Sequence, residues 1–229
     1  MYGLILIILM CIVVPFQVQA DVLWIQAPSA NPEIPSIVDQ VWPDYPLDSA
    51  YQVHDVAVGA AGWTIQSITT YYTKGYGDWP MGAVEVQLNI FPKNDSLPGD
   101  GDDPANGTQY TAMISNDSMM TFVTLSGLNI SLMEGDYWIG MTPILLYDIS
   151  GQEYHIQTES VVGDFSAVRN PGGGFGHGTA WNTYTLFNYD PGDGAILIEG
   201  TSAVPEPATM LLLGSGLIGV LGLRRKFKK

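Results

Sequence analysis

Apolar and polar residues alternate with a period of two from Val84 to Ile90, where Val84, Val86, Leu88 and Ile90 interleave with Glu85, Gln87 and Asn89. That is the spacing of a strand with one face buried, because successive side chains leave a pleated backbone on opposite sides. From Trp63 to Tyr72 (WTIQSITTYY), Trp63, Ile65 and Ile68 fall on buried positions, and the odd step between Ile65 and Ile68 predicts a bulge. Further short segments rich in β-branched and aromatic residues run over Gln109–Ser115, Met119–Leu125, Asp136–Thr142, Tyr154–Glu159, Trp181–Phe187 and Ala195–Glu199. Glycine and proline separate them, and no segment between the two hydrophobic ends sustains a helical period. The pattern predicts an all-β chain folded as a single antiparallel β-sandwich, jelly-roll-like in its short, turn-linked strands. No internal repeat is visible, which argues against a solenoid or propeller.

The ends read differently. Leu4–Val14 is almost wholly apolar, and Val18-Gln19-Ala20 places small residues where a signal peptidase reads, so residues 1–20 are expected to be removed, leaving Asp21 first. No Lys or Arg precedes the apolar run; a misplaced start codon would account for that. Cys11 follows Met10, where a lipoprotein signal requires a smaller residue, so lipidation is not expected. At the other end Pro205, Glu206 and Pro207 precede an apolar stretch, Ala208–Leu223, broken by Gly214, Gly216, Gly219 and Gly222. As a helix it would span roughly 24 Å, near the thickness of a hydrocarbon core. The basic cluster Arg224, Arg225, Lys226, Lys228 and Lys229 would then hold the C-terminus in the cytoplasm.

This succession of triplet, glycine-bearing apolar stretch and basic tail resembles the PEP-CTERM sorting signal of Gram-negative bacteria that make extracellular polysaccharide. The resemblance implies cleavage at the triplet by exosortase, a membrane-embedded cysteine protease. It also implies an inner-membrane-anchored precursor that ends at the cell surface or in the extracellular matrix. The chain then divides into a signal peptide (1–20), an ectodomain (21–203) and a sorting signal (204–229). Within the ectodomain, Trp63-Thr64-Ile65, Leu97-Pro98-Gly99, Gly135-Asp136-Tyr137-Trp138 and a last strand from Ala195 to Gly200 resemble, in order, the jelly-roll domains that often precede such an anchor.

Charge narrows the function. Residues 21–203 hold three basic residues (Lys74, Lys93, Arg169) and 22 acids, a net charge of −19. Such a surface repels nucleic acid, attracts divalent cations, and also keeps an exported chain soluble. With Cys11 the only cysteine, the ectodomain has no disulfide and no thiolate chemistry. Asp100, Asp102 and Asp103 crowd a glycine-rich turn that suits Ca²⁺ or simply a solvated hairpin loop; no other cofactor is implied. His54, His155 and His177 have no metal-ligand spacing, although His54-Asp55 could orient a base. Glu85, Glu153, Glu159 and Glu199 leave a carboxylate pair for glycoside hydrolysis open. Aromatic residues exceed what a small core needs: Trp42, Tyr45, Tyr71, Tyr72, Tyr76, Trp79, Trp181 and Tyr184. Of these, Tyr72, Tyr76 and Trp79 are the candidate sugar-stacking platform, the alternative being that Tyr71 or Tyr72 is core and the remainder are loop anchors. The resulting expectation is a non-catalytic surface or matrix protein associated with exopolysaccharide. The alternatives are a carbohydrate-binding module, with or without calcium, and a polysaccharide-processing enzyme.

Overall fold

The structure, a computed structural model, describes residues 20–29, 37–73, 79–117, 119–158, 161–174, 179–183 and 192–202. The expected signal peptide up to Gln19, the sorting signal, Tyr76, Glu159, His177 and Tyr184 lie outside them. Twelve strands appear among the described residues: β1 (Asp21–Gln26), β2 (Ile37–Val38), β3 (Tyr51–Val58), β4 (Trp63–Thr73), β5 (Ala83–Pro92), β6 (Thr108–Asn116), β7 (Met120–Leu132), β8 (Gly135–Ile144), β9 (Tyr154–His155), β10 (Ala167–Arg169), β11 (Asn182–Thr183) and β12 (Ile196–Ser202). One short helix, α1 (Tyr147–Ser150), follows β8.

The strands join in one antiparallel sheet, ordered β1-β12-β4-β7-β6-β5-β8-β3-β10-β11, with β9 bridging β2 to β4. The sheet curls. Tyr72 of β4 donates its hydroxyl to the Met141 carbonyl of β8 at 3.0 Å, although three strands separate the two along the sheet. The curl divides the sheet into two layers because β6 holds β7 only over Met113–Asn116, whereas β7 beyond Thr124 pairs with β4 alone. Between the layers Val86, Ala112 and Ile139 from one side meet Ile65, Leu125 and Ile198 from the other. The predicted all-β antiparallel sandwich is thus formed from a single continuous sheet.

The bulge expected in β4 is present, as a register shift between Ile65 and Ser67 against β7. It returns Ile68 to the inner face, where it is fully buried beside Ile65. The expected segments at 109–115, 119–125 and 136–142 become β6, β7 and β8, with β7 extending seven residues further, to Leu132. Four strands, β1, β2, β3 and β10, are not anticipated by the pattern. In β3 (YQVHDVAV) the inward positions carry Gln52 and His54 before Val56, so polarity and burial are uncoupled. Tyr154–Glu159 shortens to the two residues of β9, because the following segment turns to bond with Ala195 and Asp193.

Two ends of the sandwich can be distinguished. The start of β1, the end of β12, the turn 59–62 and Met133-Glu134 form one, called here the tail end, since Asp21 pairs with Gly200 and Ser202 with Trp63. The opposite, distal end holds the start of β5, the 145–150 segment and the 43–49 turn. Removing a side chain from the shared core should cost far more than removing one from the exposed β1 edge. Ile139→Ala is expected to destabilise by about 2–5 kcal/mol, and Val22→Ala by no more than about 0.5 kcal/mol, read from urea denaturation midpoints.

Candidate functional site

Polar chemistry gathers in two places, one sealed and one open. The sealed cluster fills the polar part of the interior. Asp39, fully buried, accepts hydrogen bonds from the Tyr72 hydroxyl (2.8 Å), the Thr142 hydroxyl (2.7 Å) and the Gln52 backbone N–H (3.1 Å). His155 Nδ1 lies 3.3 Å from Asp39 Oδ2, within ion-pairing distance but not aligned as a hydrogen bond. Its Nε2 sits 2.7 Å from the Ala195 carbonyl, which can only accept, so this nitrogen carries the proton. Its ring meets His54 edge to face with centroids 4.9 Å apart.

His54 Nδ1 lies 2.8 Å from Ser166 Oγ, and Ser166 in turn bonds Asp193, whose carboxylate also accepts from Gln26 Nε2 and Val162 N–H. Desolvation, and then the neighbouring His155 charge, hold His54 well below its ordinary value of 6.5. Burial pushes Asp193 up to about 6, against the pull of the Val162 and Ser166 N–H groups. Serine, histidine and aspartate therefore meet, but not as an activated nucleophile: Asp193 touches the serine rather than the imidazole, and Ser166 and His54 are fully buried. Gly194 closes over the rings, and a Cβ there would collide with His54 Cε1.

The expected His54-Asp55 pairing is corrected here. Adjacent residues on a strand face opposite sides, so His54 points inward while Asp55 points outward to Lys93. Lys93 Nζ bonds Asp55 at 2.9 Å and Asp164 at 2.8 Å, and lies over the Trp138 ring at 4.9 Å. Partial burial alone would lower the Lys93 pKa, but these two carboxylates raise it.

The platform residues also need correcting. Tyr72 is fully buried, its ring packed on His155 and Trp79 and its hydroxyl spent on Asp39 and Met141. Trp79 is half-buried against the same core. Tyr76 lies outside the described residues. The acidic turn has inward-looking chemistry as well: Asp102 accepts from Gly99 N–H and Asp103 from Ala105 N–H, while the Asp102 carbonyl accepts from Arg169 and Trp181. Among the described residues no three acidic or histidine side chains converge on a metal position. Asp102 and Asp103 line a cleft of about 550 Å³ with Asn89, Phe91 and Tyr110, opening where β6 and β7 part; Asp100 stands exposed beside it.

The open site is at the distal end. Tyr45 and Tyr147 are 45% and 44% exposed, edge to face with centroids 5.5 Å apart, and Trp42 also packs edge to face on Tyr147 at the same separation. The two tyrosines come from segments about a hundred residues apart in sequence. Asp44 joins them by accepting the N–H groups of Tyr147 (3.1 Å) and Asp148 (3.2 Å), which cap the first turn of α1. Slight desolvation would raise the Asp44 pKa, yet these backbone donors hold it below its ordinary value. The Asp148 charge raises the Tyr45 hydroxyl and lies 3.5 Å from it. Beside the pair runs an apolar cleft of about 300 Å³ lined by Trp42, Pro46, Tyr51 and Pro171. Rigid ring faces, two carboxylates and an apolar cleft can hold a polyhydroxylated ring by stacking and by accepting its hydroxyl protons. Trp42 and Tyr45 stand among the surplus aromatics of the sequence; Tyr147 and Asp44 carry no local signal, because only the fold brings them together.

Residues 203–226 match the family model of the PEP-CTERM protein-sorting motif. Comparison with curated proteins finds no match. The chain is an exported protein, made in bacteria as a membrane-anchored precursor and processed by exosortase.

The sealed cluster gives a pH signature of opposite signs. His54 binds its proton less readily folded than unfolded, so its contribution to stability is present above pH 6.5 and lost as pH falls. Asp193 binds its proton more readily folded, so its contribution grows as pH falls below about 6. Denaturation midpoints should therefore drop between pH 7 and 6 and level off below. His54→Gln should remove the drop and leave the gain below pH 6.

Proposed function

We propose that this exported, exosortase-processed chain is a non-catalytic component of the cell surface or extracellular matrix that holds exopolysaccharide through its distal aromatic pair. The observation that carries the reading is the Tyr45–Tyr147 pair, both rings close to half exposed, with Asp44 and Asp148 beside it. Pyranose rings stack on such faces by burying their C–H side, and carboxylates select orientation by accepting hydroxyl protons. Because the rings are fixed by Trp42 packing and by the Asp44 cap, little ordering entropy opposes binding. A net charge of −19 over residues 21–203 favours neutral or cation-bridged glycan over a bare polyanion. The non-catalytic part rests on the sealing of His54, His155 and Ser166 from solvent. No cofactor is required, and calcium at Asp100, Asp102 and Asp103 is the assisting ion the test includes.

The processed protein is expected to be retained on the producer's own exopolysaccharide, and Tyr147→Ala or Tyr45→Ala to weaken retention about tenfold, the loss of roughly 1.4 kcal/mol of stacking. Isothermal titration with and without a chelator checks this. Retention abolished by chelation and restored by calcium, with the tyrosine variants unaffected, would move the site to the Asp100–Asp103 turn. Absence of retention in every condition would overturn the glycan reading.

A further inference from the structure

The last residues before the sorting motif are not a free tether. Gly200, Thr201 and Ser202 pair with Ile65, Thr64 and Trp63 of β4, so the chain is held in the sheet as far as Ser202. Pro205 follows three residues later, a reach of about 10 Å, and the apolar stretch begins at Ala208, roughly 20 Å from Ser202 at full extension. A folded domain on so short a tether cannot turn its far side to the bilayer, because β8 alone, with 10 residues, is roughly 34 Å long.

We propose that in the anchored precursor the tail end of the sandwich lies against the membrane surface, and that the distal end, with Tyr45 and Tyr147, faces away from it. The surface so placed comprises the turn 59–62, Met133, Glu134 and the start of β1 beside the end of β12. Its occupant is the lipid headgroup layer. Asp21, Glu134 and Asp136 are exposed there; among the described side chains the nearest cation, Lys93, is engaged by Asp55 and Asp164, and the α-amino group that cleavage would leave on Asp21 offsets one of the three acids. Acidic side chains facing anionic headgroups repel them. The apposition is therefore imposed by the tether alone, through the high effective concentration a short linker gives. Cutting at Pro205–Pro207 removes that constraint, and the same charge then drives the domain off the surface. The proposal stands whether or not the distal end binds glycan.

The only cysteine, Cys11, lies ahead of Asp21, so single reporters can be placed in the chain from Asp21 to Lys229 without further substitution. Met133→Cys (79% exposed at the native residue) and Ala60→Cys mark the tail end, and Met81→Cys (96% exposed) marks the distal end. Each is labelled with a fluorophore and reconstituted in vesicles of phosphatidylethanolamine and phosphatidylglycerol that carry a headgroup-attached quencher. Quenching at 133 and 60 is expected to exceed that at 81 at least threefold, and a chain ending at Val204 is expected to show none at any position. Equal quenching at the two ends, or stronger quenching at 81, overturns the orientation. Quenching that persists at 133 in the shortened chain overturns the tether as its cause. A protein that fails to bind exopolysaccharide yet quenches as expected leaves this inference intact and removes only the glycan reading.

Discussion

One buried carboxylate organises the polar part of this interior. Asp39 draws the backbone of β3 (Gln52), the hydroxyl of β4 (Tyr72), the hydroxyl of β8 (Thr142) and the ring of β9 (His155) to a single point. A buried carboxyl group is tolerable only when donors replace its lost hydration, and here three hydrogen bonds do so. Since β4 and β8 lie on opposite layers, satisfying Asp39 also fixes how far the sheet curls. The apolar cluster of Ile65, Val86, Leu125 and Ile139 supplies the bulk of the driving force, but it is non-directional. The Asp39 constellation supplies the direction.

That division explains what could be read from the chain and what could not. The two-residue period of Val84–Ile90 and the bulge after Ile65 are local properties of backbone and hydrophobicity, and both appear where the pattern puts them. β3 escapes because its inward residues include Gln52 and His54, whose burial is licensed by partners on other strands. Tyr72 shows the same failure from the other side. As a tyrosine near a glycine-rich turn it reads either as an exposed ring or as core, and what decides for core is a buried acceptor contributed by residue 39. Tyr45 and Tyr147 meet only because Asp44 caps a helix that begins about a hundred residues later. The sorting motif is the converse case, legible because it is contiguous and needs no tertiary context.

Three features are arranged along the axis of the sandwich. His54, Ser166 and Asp193 are enclosed in the middle, linked by hydrogen bonds through the Ser166 hydroxyl. Open aromatic surface is at one end, and the root of the sorting signal at the other.

The pairing of Asp21 with Gly200 has a further consequence for when the molecule can fold. β12 lies between β1 and β4, so the first strand of the ectodomain finds its place only after the last has arrived. Pairs so distant in sequence close late and slowly, since nearly the whole chain must be ordered before they form. During export the segment emerging first would wait, unpaired on the β12 side, until residue 200 had crossed the membrane. Closure of this edge of the sheet is thereby tied to the arrival of β12, while the ladder from β4 to β10 needs neither terminal strand.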